Sequence, residues 1–76
     1  SNNFNIYPIP ATNNLTIETQ INELTNLDLV DVTGKIILKK EFTQLTSLDV
    51  SQISKGIYFL NLKTVEGELT KQIIIE

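Results

Sequence analysis

The side chains able to do chemistry in this 76-residue chain are few in kind: nine carboxylates, six lysines, two tyrosines and the hydroxyls of serine and threonine, with no histidine, cysteine or arginine. Nucleophilic catalysis of the Ser-His-Asp or Cys-His type needs a base to take the nucleophile's proton, and neither imidazole nor thiol is present. Paired carboxylates for glycoside hydrolysis have candidates in Asp28, Asp31, Asp49 and Glu68. A chain this short builds no cleft for a sugar ring, so these acids read as solvated strand-face and turn residues. A calcium site near Asp31 or Asp49 would have the hard oxygen donors that the ion prefers, but no D-x-D-x-D cluster accompanies them. Zinc sites built from Cys and His are excluded. The expectation is a domain with no catalytic residues, no metal ligands and no cofactor.

Length and charge narrow the partners. Seventy-six residues allow one hydrophobic core, without a second domain or a disulfide to support it. Apolar residues make up 41% and charged residues 20%, a globular balance. The net charge of −3 and the absence of guanidinium groups argue against nucleic acid as a partner. No apolar run approaches the roughly 20 residues of a membrane helix, so membrane insertion is not expected, and no signal peptide is visible. Residues 1–3 read as a tag remnant or the end of a linker.

The elements that must position any functional residue are strands. Short alternating or β-branched runs recur between turn residues at the spacing of a sandwich, and no segment carries a helical stripe. The strands read as Phe4–Tyr7, Leu15–Thr19, Leu27–Val32, Lys35–Phe42, Ser47–Val50, Ile57–Lys63 and Glu68–Ile75. A period of two places Leu15 with Ile17, Leu27 with Leu29, Ile36 with Leu38 and Phe42, and Leu48 with Val50 on inward faces. Tyr58, Leu60 and Leu62 alternate likewise, although Ile57 and Phe59 make the other face of that strand apolar too, as in a central strand. Ile73 and Ile75 continue the core face at the end of the chain.

The connections are specific. Pro8 and Pro10 remove two donors, ending the first strand at Tyr7 and confining that stretch to an edge or an extended linker. Gly34, in Asp31-Val32-Thr33-Gly34, and Gly67, after Val65-Glu66, supply the positive φ of tight hairpins. Ile53-Ser54-Lys55-Gly56-Ile57-Tyr58 at the start of the sixth strand has the pattern of a tyrosine corner, whose hydroxyl bonds back to upstream backbone where the chain crosses from one sheet to the other. The fold class expected is all-β, an immunoglobulin-like Greek-key sandwich of about seven antiparallel strands.

Three features read two ways. Tyr7 is expected to pack at the end of the sandwich, with a ligand-stacking role as the alternative. Lys63 and Lys71 belong either to a docking patch or to edges blunted against aggregation. Ile73-Ile74-Ile75 is aggregation-prone if unpaired, and is expected to be paired.

The blocks Asn5-Ile6-Tyr7-Pro8-Ile9-Pro10-Ala11-Thr12-Asn13, Asp31-Val32-Thr33-Gly34-Lys35, Leu48-Asp49-Val50-Ser51, Gly56-Ile57-Tyr58-Phe59-Leu60 and Lys71-Gln72-Ile73-Ile74-Ile75-Glu76 occur in that order. Together they resemble the type A C-terminal sorting domain of the type IX secretion system, over nearly the whole chain. The resemblance implies a single sorting domain over residues 1–76. It would be carried behind an N-terminal passenger in cis, exported through the periplasm and read by the outer-membrane translocon. A surface sortase would then cut near or before Asn3, leaving the passenger at the cell surface or released. It also implies a recognition signature of Tyr7, Pro8, Pro10, Asp31, Gly34, Lys35, Gly56, Tyr58, Lys71, Ile73 and Ile75. The family commonly has Asn where this chain has Ile9 and a second basic residue where it has Gln72.

A carbohydrate-binding or adhesion module of a secreted enzyme is the alternative, using Tyr7 and Phe59 as surface aromatics. A purely structural spacer is a third reading. An edge strand, first or last, that adds to a sheet of the receptor is the mechanism expected for a sorting signal.

Overall fold

The structure, a computed structural model, describes residues 3–76; Ser1 and Asn2, and with them most of the expected tag or linker remnant, lie outside the described residues. Asn3 is tied to the fold, since its carbonyl accepts a bond from Thr19 Oγ1 at 2.7 Å. Seven strands follow: β1 (Phe4–Tyr7), β2 (Asn14–Thr19), β3 (Leu24–Asp31), β4 (Ile36–Thr43), β5 (Leu45–Asp49), β6 (Gly56–Thr64) and β7 (Gly67–Ile75).

Two antiparallel sheets form, in the orders β1-β2-β5 and β4-β3-β6-β7. Hydrogen-bonded neighbours β2 and β5, and likewise β3 and β6, are three strands apart in sequence, which is the interleaving of a Greek key. The fourth strand hydrogen-bonds to the third. In an immunoglobulin constant domain it would instead extend the sheet of the first, second and fifth strands. A tight β3–β4 hairpin holds the two strands in one sheet.

Alternation builds the core. Phe4, Leu15, Ile17 and Leu48 from the smaller sheet face Leu27, Leu29, Phe42, Tyr58, Leu60, Leu62, Ile73 and Ile75 from the larger, all buried. The apolar side chains of all seven strands share this one cluster, with Leu38 and Leu69 packed against it. β6 is central in its sheet, as its two apolar faces implied. Val50 lies one residue beyond β5 but is fully buried, its N–H donating to the Asn13 carbonyl at 2.8 Å.

Ile36 corrects the inward set read from sequence, being 47% exposed. The register pairs Leu29 with Leu38 but Val30 with Ile36, so one extra residue, Ile37, is accommodated by a bulge. A one-residue slip reverses which face a side chain takes, and Ile36 therefore joins the outer face with Val30.

The hairpins use the expected glycines, with φ of +89° at Gly34 and +137° at Gly67. β4 and β5, in different sheets, are separated by Gln44 alone, at φ 70°. A non-glycine residue in this left-handed conformation costs about 1–2 kcal/mol, which the sheet switch imposes here. The Gln44 carbonyl accepts from Thr19 N–H at 2.9 Å, fixing the kink.

Between β5 and β6 the tyrosine corner is present: Tyr58 Oη donates to the Ser54 carbonyl at 2.6 Å from a ring that is almost wholly buried. Replacing Tyr58→Phe keeps the ring and leaves that carbonyl without its partner, so a loss of about 1–2 kcal/mol is expected in urea titration. A midpoint equal to that of the wild type would show that the corner does not hold the crossover. Thr25, fully buried opposite Phe42, has a hydroxyl with no hydrogen-bond partner among the described residues. Thr25→Val preserves shape and removes the orphan group, and a gain of about 1 kcal/mol is expected in the same titration.

Candidate recognition surface

Up-and-down strands send alternate connections to opposite ends of a sandwich, and this decides which sequence blocks meet. Residues Asp31, Tyr58 and Ile73 form one transverse row across β3, β6 and β7, and Gly56 pairs with Ile75 in the same region. The Asp31–Lys35 turn, the crossover into Gly56 and the end of β7 therefore lie at one pole. β1 joins them there through the chain that follows it. Ala11, the chain's only alanine, makes a parallel bridge to Ile75, its N–H donating to Ile74 O and its carbonyl accepting from Glu76 N–H, both at 2.8 Å.

Of the sequence-predicted signature, Tyr7, Pro8, Pro10, Asp31, Gly34, Lys35, Gly56, Tyr58, Ile73 and Ile75 gather at or beside this pole, and Lys71 lies two residues before Ile73 along β7, opposite Leu60. Tyr58, Ile73 and Ile75 are core residues, so they shape the pole without being reachable from outside. Gly56 has φ +153°, a region essentially reserved for glycine, and this lets the chain turn into β6 beside the Tyr58 ring.

Tyr7 neither packs in the core nor stands free. It is 45% exposed on the outer face of the smaller sheet, donating to Glu18 Oε2 at 3.0 Å. That bond, with some desolvation and the Glu18 charge, raises its phenol pKa above the ordinary value. Phe59 occupies the outer face of the larger sheet, between Val30 and Gln72. The two aromatics thus point away from opposite sides of the sandwich and do not form one stacking platform. Ile9, where the family commonly has Asn, is half-buried against the core.

The sequence reading missed two features. The outer face of the larger sheet carries an apolar patch at this pole, in which Ile36, Val30 and Phe59 adjoin Ile57 and Ile74. The β-branched run at Ile36 and Ile37 held the signal, but the bulge that turns Ile36 outward has no signature in residue type. Ala11 as a clamp on the last strand also went unread, because one small residue after two prolines has no period.

Asp31 and Asp49 prove to be turn braces. Asp31 Oδ1 accepts from Thr33 Oγ1 at 2.6 Å, Thr33 N–H at 2.9 Å and Lys35 N–H at 3.0 Å. The Thr33 hydroxyl is the main cause of its lowered pKa; the two amides and the Lys35 charge add to it, against a smaller pull from desolvation. Asp49 Oδ1 accepts from Ser51 Oγ at 2.6 Å and Ser51 N–H at 2.9 Å, which lowers its pKa likewise. Among the described residues no three acidic side chains gather where they could hold a metal ion.

Both carboxyls are depressed in the folded state, so the stability they add is complete above the unfolded value of about 4 and is lost as pH falls through the lower folded values. Thermal melts from pH 6 to pH 2 are expected to show an acid limb that Asp31→Asn with Asp49→Asn flattens. An unchanged limb in the double variant would locate acid sensitivity elsewhere.

The sequence matches the family described as the secretion system C-terminal sorting domain over residues 5–76. It is 33% identical over 70 residues to Beta-agarase D of Zobellia galactanivorans, an alignment covering 92% of this chain and 14% of that protein. The chain therefore spans only a small part of the length of that relative. A match from Asn5 to Glu76, over a seven-stranded sandwich that gathers the signature blocks at one pole, establishes that the chain belongs to the type IX secretion system C-terminal sorting domain family.

Proposed function

We propose that this domain is an export signal, recognised in its folded state by the outer-membrane translocon of the type IX secretion system and removed afterwards by a surface sortase. The passenger is joined on its N-terminal side, reaches the periplasm first, and ends at the cell surface or in the medium. The observation that carries the reading is the family match, taken with the convergence of sequence-distant signature blocks on one pole. A surface assembled from four separate blocks suits recognition of a fold better than recognition of a linear peptide.

The polarity of β1 supports the same arrangement. Its start lies beside the Thr19 end of β2, at the pole opposite the signature, and it runs toward Pro8 and Pro10. A passenger attached before Asn3 therefore approaches from the far pole and leaves the signature pole clear. Cutting upstream of β1 would free the passenger without opening a strand pair. The carbohydrate-binding alternative needs aromatics on one face, and Tyr7 and Phe59 are on opposite outer faces.

The test is a fluorescent reporter with a periplasmic signal peptide and this chain at its C-terminal side, expressed in a host that has the type IX system. It is expected at the surface or in the medium, while the reporter lacking the chain stays in the periplasm. Periplasmic retention of the intact fusion would overturn the reading.

A further inference from the structure

Four strands stand at a sheet edge: β1 and β5 in the smaller sheet, β4 and β7 in the larger. β1 is four residues long and ends at Pro8, and β5 is five residues long and begins at the Gln44 kink. β4 is longer but carries the bulge, a device that discourages strand addition. β7, at nine residues, is the long edge without a bulge.

Part of that edge is already filled. The Ile74 carbonyl and the Glu76 N–H both bond to Ala11, so these residues direct their backbone groups away from β6. Alternation along an antiparallel strand gives the same outward direction to Gln72, Thr70 and Glu68. The pairing does not extend along them: Ala11 makes an isolated bridge, and Ile9 and Pro10 before it form a bend instead of a strand. Among the described residues, a row of unpaired donors and acceptors therefore runs from Glu68 to Gln72 and stops where Ala11 begins.

Lys71 lies within this row on the core-facing side, opposite Leu60, with Leu69 and Ile73 as its same-face neighbours. An inward-facing charge on an edge opposes any strand that would set an apolar residue beside it. The same ammonium favours a strand that sets a carboxylate there.

We propose that the open β7 edge at Glu68–Gln72 receives a β-strand of the export receptor, and that Lys71 selects one bearing a carboxylate on the core-facing side. This rests on the sorting reading and specifies its contact. Main-chain bonds give the affinity, and the single ammonium excludes apolar strands, including other copies of β7.

The reporter fusion tests this by substitutions that leave the β6–β7 ladder intact. Thr70→Pro removes one outward N–H at a position where an edge strand tolerates proline, and Thr70→Val keeps the N–H as a control for the side chain. Surface export is expected to fall at least tenfold for Thr70→Pro and to persist for Thr70→Val, with far-UV circular dichroism confirming that both variants fold. Lys71→Glu is expected to abolish export and Lys71→Arg to retain it, an independent arm if the proline variant does not fold. Wild-type export by folded Thr70→Pro, or by Lys71→Glu, would overturn the proposal. Failure of the unmodified fusion would overturn the sorting reading instead.

Discussion

Two apolar sheet faces, each unable to remain in water, must cover one another, and no disulfide or metal-binding cluster among the described residues shares that task. Every other property of the domain follows from how alternation divides residues between the shared core and the two outer faces. Because Leu27, Leu29, Leu60 and Leu62 are committed inward, their neighbours Asn26, Asp28, Asn61 and Lys63 must face out. The outer surface of the larger sheet is thus partly ionic, with Lys39 bonded to Asp28 at 2.8 Å. That exposed pair adds little stability, at most about 1 kcal/mol. Its effect is to keep half of a broad sheet face hydrated while the other half, around Phe59, stays apolar.

Geometry also brings distant blocks of the sequence together. Strand direction alternates, so the end of β1, the β3–β4 turn, the start of β6 and the end of β7 are brought to one pole even though more than sixty residues separate the first from the last. Several of the residues gathered there are structural. Asp31 closes its turn, Gly56 permits the entry into β6, and Tyr58 ties the crossover to Ser54. On the proposed reading, a receptor that docks at this pole reads whether the sandwich has closed.

Edge management connects stability with partner choice. The larger sheet is one strand wider than the sheet it faces, and each of its edge strands has a lysine on the inner side, Lys40 opposite Leu27 and Lys71 opposite Leu60. Such charges prevent indiscriminate pairing at little cost, since their long stems reach solvent. The Ala11 bridge performs the same service for the isoleucine-rich end of β7, which is paired on both sides where its sequence is most prone to aggregate.

Residue types and their spacing were enough to determine that this is a seven-stranded sandwich with its core on Leu15, Ile17, Leu27, Leu29, Leu60, Leu62, Ile73 and Ile75, because a period of two survives any later arrangement of the strands. They also specified the hairpin glycines and the tyrosine corner, which depend on residues close together in the chain. Tertiary structure alone decided that a bulge turns Ile36 to solvent and that Ala11 clamps the last strand. Register slips and the contact between Ala11 and Ile75 are set by which surfaces meet in three dimensions, and local composition carries no record of them.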